Sequence, residues 1–367
     1  LTPPHEPATA LWWGTYPTAG LGTPTGQGEG LWRHDASGVA QVLELPAPSF
    51  VLAHPSLPVL YAVSETARSA LHAIDVSDPA APRVAATVPT GGAFACHLLM
   101  AQGEVAIYVS HYGTGDLAVV PLETDGLPAS HEPMQLLPHE GSGPNAARQE
   151  GPHAHSAAYA PGGRHVLVAD LGTDQLRRYA GVPGGILEED GIAATLPPGS
   201  GPRHMVIDGE LIHLVCELDV TLRTLRWDPV SATAEVVGET PITTVGPRSA
   251  EVDGSHILRV DATPYSEPVL LVGARGADVI AVFDLSPEGW PRYRASFDAG
   301  HWPRYFMVDG SAADGARLLV TEERGHAVRS YALSDVVTLL PEHEAGAVAA
   351  LPHESYEVTS PACVARA

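Results

Sequence analysis

The 367-residue sequence contains no lysine: its 20 basic residues are all arginine, set against 43 acidic ones. That absence excludes any reaction needing a lysine nucleophile or Schiff base, and leaves arginine alone to hold an anionic ligand. The net charge of −23 opposes nucleic acid or an anionic membrane as partner and is accounted for by solubility. Cysteine is almost as scarce. Cys96, Cys216 and Cys363 are odd in number and far apart, which argues against a disulfide framework and a Cys-ligated zinc. Buried thiols in a reducing cytoplasm are expected instead. No stretch approaches the roughly 18 apolar residues of a transmembrane helix. The opening "LTPPHEPATALWWGTY" lacks a basic n-region and an apolar h-region, so no signal peptide is expected. Helical periodicity is also missing beyond a turn or two, and "SDVVTLLPEHEA" at 334–345 is the best short candidate.

What the chain does have is 37 glycines and 34 prolines, spread along its length, and 44% apolar residues. Turn residues at regular intervals imply many short strands around an ample core. One unit recurs: a short apolar run, a small polar turn, then a second alternating run. It reads "LWWGTY…GEGLWRHD" near 11–35, then "VLYAVSETARSALHAIDV", "AIYVSHYGTGDLAVVPL", "HVLVADLGTDQLRRYA", "IHLVCELDVTLRTLRWD", "VLLVGARGADVIAVFDL" and "RLLVTEERGHAVRSYAL". Six copies follow another apolar strand, such as "ACHLLMA" or "PRHMVID", and each precedes a weaker one, such as "PRVAATVP" or "GAVAALP". Seven four-stranded units at this period predict an all-β, seven-bladed propeller with antiparallel blades in one domain over residues 1–367. The first copy lacks its leading strand and the C-terminal "SPACVARA" lacks a unit. Pro361 to Ala365 is therefore expected to close the ring inside blade one, covering an open edge.

The motifs "GTY" (14–16), "GSGPNAARQEGPHAHS" (141–156), "VLVADLGTDQL", "GPRHMV", "ELDVTL" and "WPRYF" together resemble the lactonase family of seven-bladed propellers, over nearly the whole chain. That family includes bacterial 6-phosphogluconolactonases and fungal carboxymuconate cyclases. The resemblance implies a lactone-handling enzyme without an obligatory metal. It also implies a site at one mouth of the channel, around His155, Arg203, Glu217 and Arg275. Two places depart from the family pattern. Where relatives carry an acidic residue after Ala, "SAEVDGSHILRV" offers Glu251. "TEERG" places Glu323 where relatives often have an amide.

Blade register points to the same mouth. Leading strands begin at "PSF", "ACH", "HAH", "PRH" and "PRY", and second strands end at Glu65, His111, Asp170, Glu217, Arg275 and Glu322. In an antiparallel blade the start of one strand lies beside the end of the next. Arg203, Glu217, His155, His97, Arg275 and Arg304 should therefore converge. His153 and His155, two apart, would share a strand face, but His-x-His has no second compact ligand pair, so no metal or other cofactor is expected. Lactone hydrolysis needs a base for water, fixed donors for the oxyanion and a proton for the leaving oxygen. Glu217 or His155 is the candidate base, and Arg203 or His155 the oxyanion donor. Arg275, Arg304 and Arg148 are candidate holders of a phosphate or carboxylate, with His153, His204 and His97 as further substrate contacts. Several have plain alternatives: His97 and His204 as backbone-bonding residues, Asp170 and Asp174 as turn holders, Arg148 with Glu150 as a loop-anchoring ion pair, and the tryptophans as packing. Ser156 lacks a nucleophile-elbow context. The expected ligand is an anionic sugar lactone such as 6-phosphogluconolactone, and the expected state a monomer or weak homo-oligomer. The competing classes are a carboxymuconate-type cycloisomerase and a non-catalytic binding propeller.

Overall fold

The computed structural model describes residues 10–16, 28, 30–310 and 315–367. Seven sheets, each with four antiparallel strands, follow one another along these residues, and the leading strands of successive blades lie side by side around a central channel. In blade four, for example, Ala154–Tyr159 is innermost, followed outward by His165–Asp170, Gln175–Gly181 and Leu187–Thr195. The strands read as they do because of their neighbours. Val59–Val63 and Val269–Arg275 are buried at every position, since both faces of a blade pack on adjoining blades. The outermost strand of blade five, Thr233–Pro241, alternates between exposed and half-buried because it faces solvent. The apolar core is consequently divided into interblade layers. One of these joins Val215, Leu222, Ile257, Val272 and Phe283 between blades five and six.

Ring closure follows the sequence expectation. Pro361–Arg366 is the innermost strand of blade one and pairs with Leu11–Thr15, in the register Trp12 with Ala365 and Trp13 with Val364. Two local expectations change. "GAVAALP" does not complete blade seven; Val348–Ala349 adds a parallel fifth strand to blade six, beside Ser296 and Phe297, and His353–Glu357 is the outer strand of blade seven. The short helix covers Leu333–Val337 and stops well before residue 345, because Pro341 and the charged run after it supply no apolar face to bury. Residues 1–9 of the opening stretch read for a leader lie outside the described part. All three cysteines are free and buried.

Candidate active site

The leading strands of blades three to seven share one irregularity: each carries one extra residue near its start. In blade four Ala154 faces Asp170 and Ser156 faces Ala169, so His155 has no opposite number. Cys96, Arg203 and Arg304 occupy the same place in blades three, five and seven, and the extra residue of blade six falls within Ser255–His256. Such a bulge turns a side chain out of the ladder. Here repetition around the ring lets Cys96, His155, Arg203 and Arg304 line one cavity of about 540 Å³.

Glu217, immediately after the second strand of blade five, is its charge centre. Arg203 Nε donates to Glu217 Oε2 at 2.6 Å and Arg275 Nη2 lies 3.0 Å from the same oxygen, while Arg148 Nη2 bonds Oε1. Burial alone would raise the Glu217 carboxyl, but Arg275, Arg203 and Arg148 outweigh it and hold it well below the usual carboxylate range. Arg203 is itself pushed down to about 10, by burial and then by Arg275, and stays a cation at neutral pH. A second Arg203 nitrogen, Nη1, bonds the Ser255 carbonyl. Ser156 Oγ donates to the Arg203 carbonyl at 2.6 Å, which fixes the bulge. Arg275 also reaches Asp253 at 3.3 Å and lies over the Trp302 ring, and Arg324 covers that ring too.

His155 is almost fully buried. Its Nε2 lies 3.9 Å from Glu217 Oε2, too long for a direct hydrogen bond, and its Nδ1 is enclosed with no partner. Burial, then Arg203, keeps this imidazole neutral and well below its ordinary range. His153 stacks on Tyr112 with ring centroids 4.4 Å apart, and its Nδ1 lies 2.6 Å from the Tyr112 carbonyl oxygen. Across the cavity, Glu65 accepts hydrogen bonds from the Tyr16 hydroxyl and Ser49 Oγ. Burial raises its carboxyl, against the pull of Arg304. Arg304 pairs with Glu323 at 3.0 Å and sits over the Tyr16 ring.

The structure thus brings His155, Arg203, Glu217, Arg275 and Arg304 into one cavity, as the register implied, and adds the candidate contacts His153 and Arg148. It does not put His97 or His204 there. These lie behind it in a floor of rings, where His204 is 5.2 Å from His155 and 5.8 Å from His97 between centroids, with His256, Tyr305 and Phe50 completing the layer. His111, Asp170 and Glu322 also stay out of the cavity. Asp170 holds its turn by accepting from the Gly172 and Thr173 amides, and Asp174 accepts from those of Gly199 and Gly201. Arg148 and Glu150 do not pair with each other: Arg148 takes Glu217, and Glu150 lies 3.4 Å from His153. Trp12, Trp13 and Trp302 are packing residues.

Sequence reasoning missed Asp253, Tyr112, Tyr16, Cys96 and the wall role of Glu65. Glu251 stands at the rim, paired with Arg324, while Asp253 is the acid opposite Arg275. Aligning "GSH" of blade six with "PRH" and "ACH" would have put Asp253 at the mouth. The arginines are also less free than expected, since every one lining the cavity already pairs with a carboxylate. Among the described residues no group of three or more His, Cys, Asp or Glu is arranged to hold a metal.

A family model described as a lactonase, seven-bladed β-propeller, matches residues 19–364. A putative 6-phosphogluconolactonase of Bacteroides uniformis superposes with a TM-score of 0.79 at 24% identity, over 99% of this chain and all of the other. The periplasmic gluconolactonase of Pseudomonas aeruginosa gives 0.76 at 22% identity, over 98% of both chains. Likeness at these identities establishes the fold. An uncharacterised protein of Staphylococcus saprophyticus is 28% identical over 48% of this chain and 50% of its own length. One of Staphylococcus aureus USA300 is 24% identical over 64% and 66%. The chain thus spans half to just under two thirds of the length of these curated relatives.

Proposed function

The chain belongs to the lactonase family of seven-bladed β-propellers, and we propose that the cavity at its channel mouth hydrolyses a sugar lactone by general acid–base catalysis. The observation that carries this reading is a neutral, buried imidazole aimed beside a fixed guanidinium: His155 Nε2, 3.9 Å from Glu217, next to Arg203. A water bonded to both His155 Nε2 and Glu217 Oε2 would be held for attack and would lose its proton to His155. Glu217 serves less well as the base, because both its oxygens already accept from arginine and its charge is strongly stabilised. Its part is to orient three guanidiniums.

Arg203 spends Nε on Glu217 and Nη1 on a carbonyl, which leaves Nη2 to meet the developing oxyanion. The leaving ring oxygen takes its proton from the Glu65–Tyr16 pair, whose burial favours the protonated forms. Arg148, Arg275, Arg304 and His153 contact the sugar hydroxyls or an anionic substituent. The test is ring opening of glucono-δ-lactone and 6-phosphogluconolactone by the purified protein and by His155→Ala. Turnover by wild type that the variant loses supports the reading. A folded variant with full turnover, or no lactone opened faster than in buffer, sinks it. Loss of diene absorbance from a carboxymuconate, with no lactone opened, would move the assignment to cyclisation.

A further inference from the structure

The two nitrogens of His155 have different surroundings, and only one faces the cavity. For Nε2 to accept a proton from water, the ring's single hydrogen must sit on Nδ1. That Nδ1 is enclosed and meets no partner. The neighbouring His204 presents the complementary defect: its Nε2 is also enclosed without a partner, and the two rings lie edge to face with centroids 5.2 Å apart. Two orphaned buried nitrogens on touching rings are costly unless they serve each other, directly or through one bound water.

The other side of His204 continues the chain of rings. His204 Nδ1 and His256 Nδ1 are 2.7 Å apart, so one donates and the other accepts. The His256 ring stacks on Tyr305 at 4.1 Å and meets the Phe306 ring edge to face at 4.9 Å. A neutral ring carries one hydrogen, so once His155 carries its own on Nδ1 and faces the His204 Nε2 lone pair, the 2.7 Å contact has His204 Nδ1 donating and His256 Nδ1 accepting. His204 must then carry its hydrogen on Nδ1 and offers a lone pair at Nε2. One bound water between the two rings would take the His155 Nδ1–H and donate to that lone pair, which leaves Nε2 bare toward the cavity. We propose that His204 and His256 are positioning residues that set the tautomer of His155, doing with two neutral rings what a buried carboxylate does for the histidine of a hydrolase triad. The inference rests on the reading of His155 as the base. Burial, and then the charge of Arg203, opposes a second proton on His204 or His256.

The experiment uses the whole chain labelled with 15N in its histidines. Imidazole 15N–1H correlation spectra of wild type are expected to show His155 as the Nδ1–H tautomer. In His204→Phe that signal should give way to Nε2–H, kcat should fall tenfold or more, and KM should change little. His204→Gln, whose amide can both accept and donate, should recover much of kcat. A wild-type His155 bearing its hydrogen on Nε2, or a folded His204→Phe with unchanged kcat, overturns the proposal. If His204→Phe does not fold, His256→Leu removes the same acceptor one ring further back and must shift the His155 tautomer likewise. Wild type that opens no lactone counts against the function alone, because the tautomer assignment is read without turnover.

Discussion

Glu217 and His155 touch the same space but answer different physical demands, and substitution should separate them. Removing the Glu217 charge leaves Arg148, Arg203 and Arg275 in a buried cluster without their shared counter-ion. Breaking a buried pair in this way costs about 3–5 kcal/mol. Glu217→Gln is therefore expected to lower both the urea midpoint and kcat. His155→Ala removes a base with little electrostatic debt, so kcat should fall by roughly 10²–10⁴ while the urea midpoint stays near wild type. Stability lost by His155→Ala and kept by Glu217→Gln would reverse the two roles. The pH profile of kcat/KM follows from the same residue. A base must be unprotonated, and His155 is held well below its ordinary range by burial and Arg203. Activity should persist as pH falls through 6.5 and fail only well below it. An acid limb centred near 6.5 would point to an exposed histidine instead.

At the scale of the element, the site is a set of bulges held by turns. The turn after His165–Asp170 brings Gly172 against the loop that carries Arg148, Glu150 and His153. A Cβ on Gly172 would lie 1.9 Å from the Gly151 carbonyl oxygen and 2.9 Å from the His153 ring. Gly172→Ala should push that loop off the cavity and lower kcat/KM at least tenfold in a folded protein. Gly151→Ala, whose Cβ meets nothing within 4 Å, serves as the control and should retain wild-type kinetics. Equal kinetics for the two variants would show that the loop does not shape the site. The same scale explains what the sequence could tell. His155, Arg203, Glu217 and Arg275 were legible because each sits at a strand end, where antiparallel pairing dictates the neighbour. Blade repetition carried the fold for the same reason. The bulges were not legible, since one extra residue leaves the apolar pattern almost unchanged, yet it decides that His155 faces the cavity while Ser156 bonds a backbone. Tyr112 lies just beyond a strand end, where no periodicity governs the path, and Glu65, though the register put it at the mouth, carries no sequence signal of its Tyr16 and Ser49 partners. "GAVAALP" misled because an outer strand carries little apolar signal with which to choose its blade.

The ring as a whole encloses neutral histidines, and that sets its response to acid. Burial pushes His97 down to about 3, and His155, His204 and His256 also fall well below their ordinary value. Between the ordinary value near 6.5 and these lowered ones, the unfolded chain binds protons that the folded chain does not, so stability falls as pH falls through that window. Each such group costs about 1.4 kcal/mol per pH unit there. Glu65 and Asp253, with raised values, act oppositely in the window between their ordinary carboxylate range and those raised values. The melting temperature should drop progressively from pH 6.5 to pH 5, and a flat profile over that range would mean these rings are hydrated. Closure of the ring is the other property of the whole molecule. Pro361–Arg366 has five of its six residues buried, pairs along Leu11–Thr15 and lies between blades seven and two. Deleting residues 361–367 would leave the backbone of Trp12 and Trp13 unpaired on one side and expose the faces that Cys363 and Val364 cover. Because each blade is held by its neighbours, this opening should propagate, giving a melting temperature at least ten degrees lower or insoluble protein. Should the truncated chain prove insoluble, Val364→Ala tests the same contact more gently, at about 1–3 kcal/mol by urea denaturation. Arg366→Ala, at the solvent end of the strand in an ion pair with Asp309, should cost no more than about 1 kcal/mol. A truncated protein that melts with wild type would mean the ring does not depend on this strand, since the exposed interblade faces would have to be covered by something else.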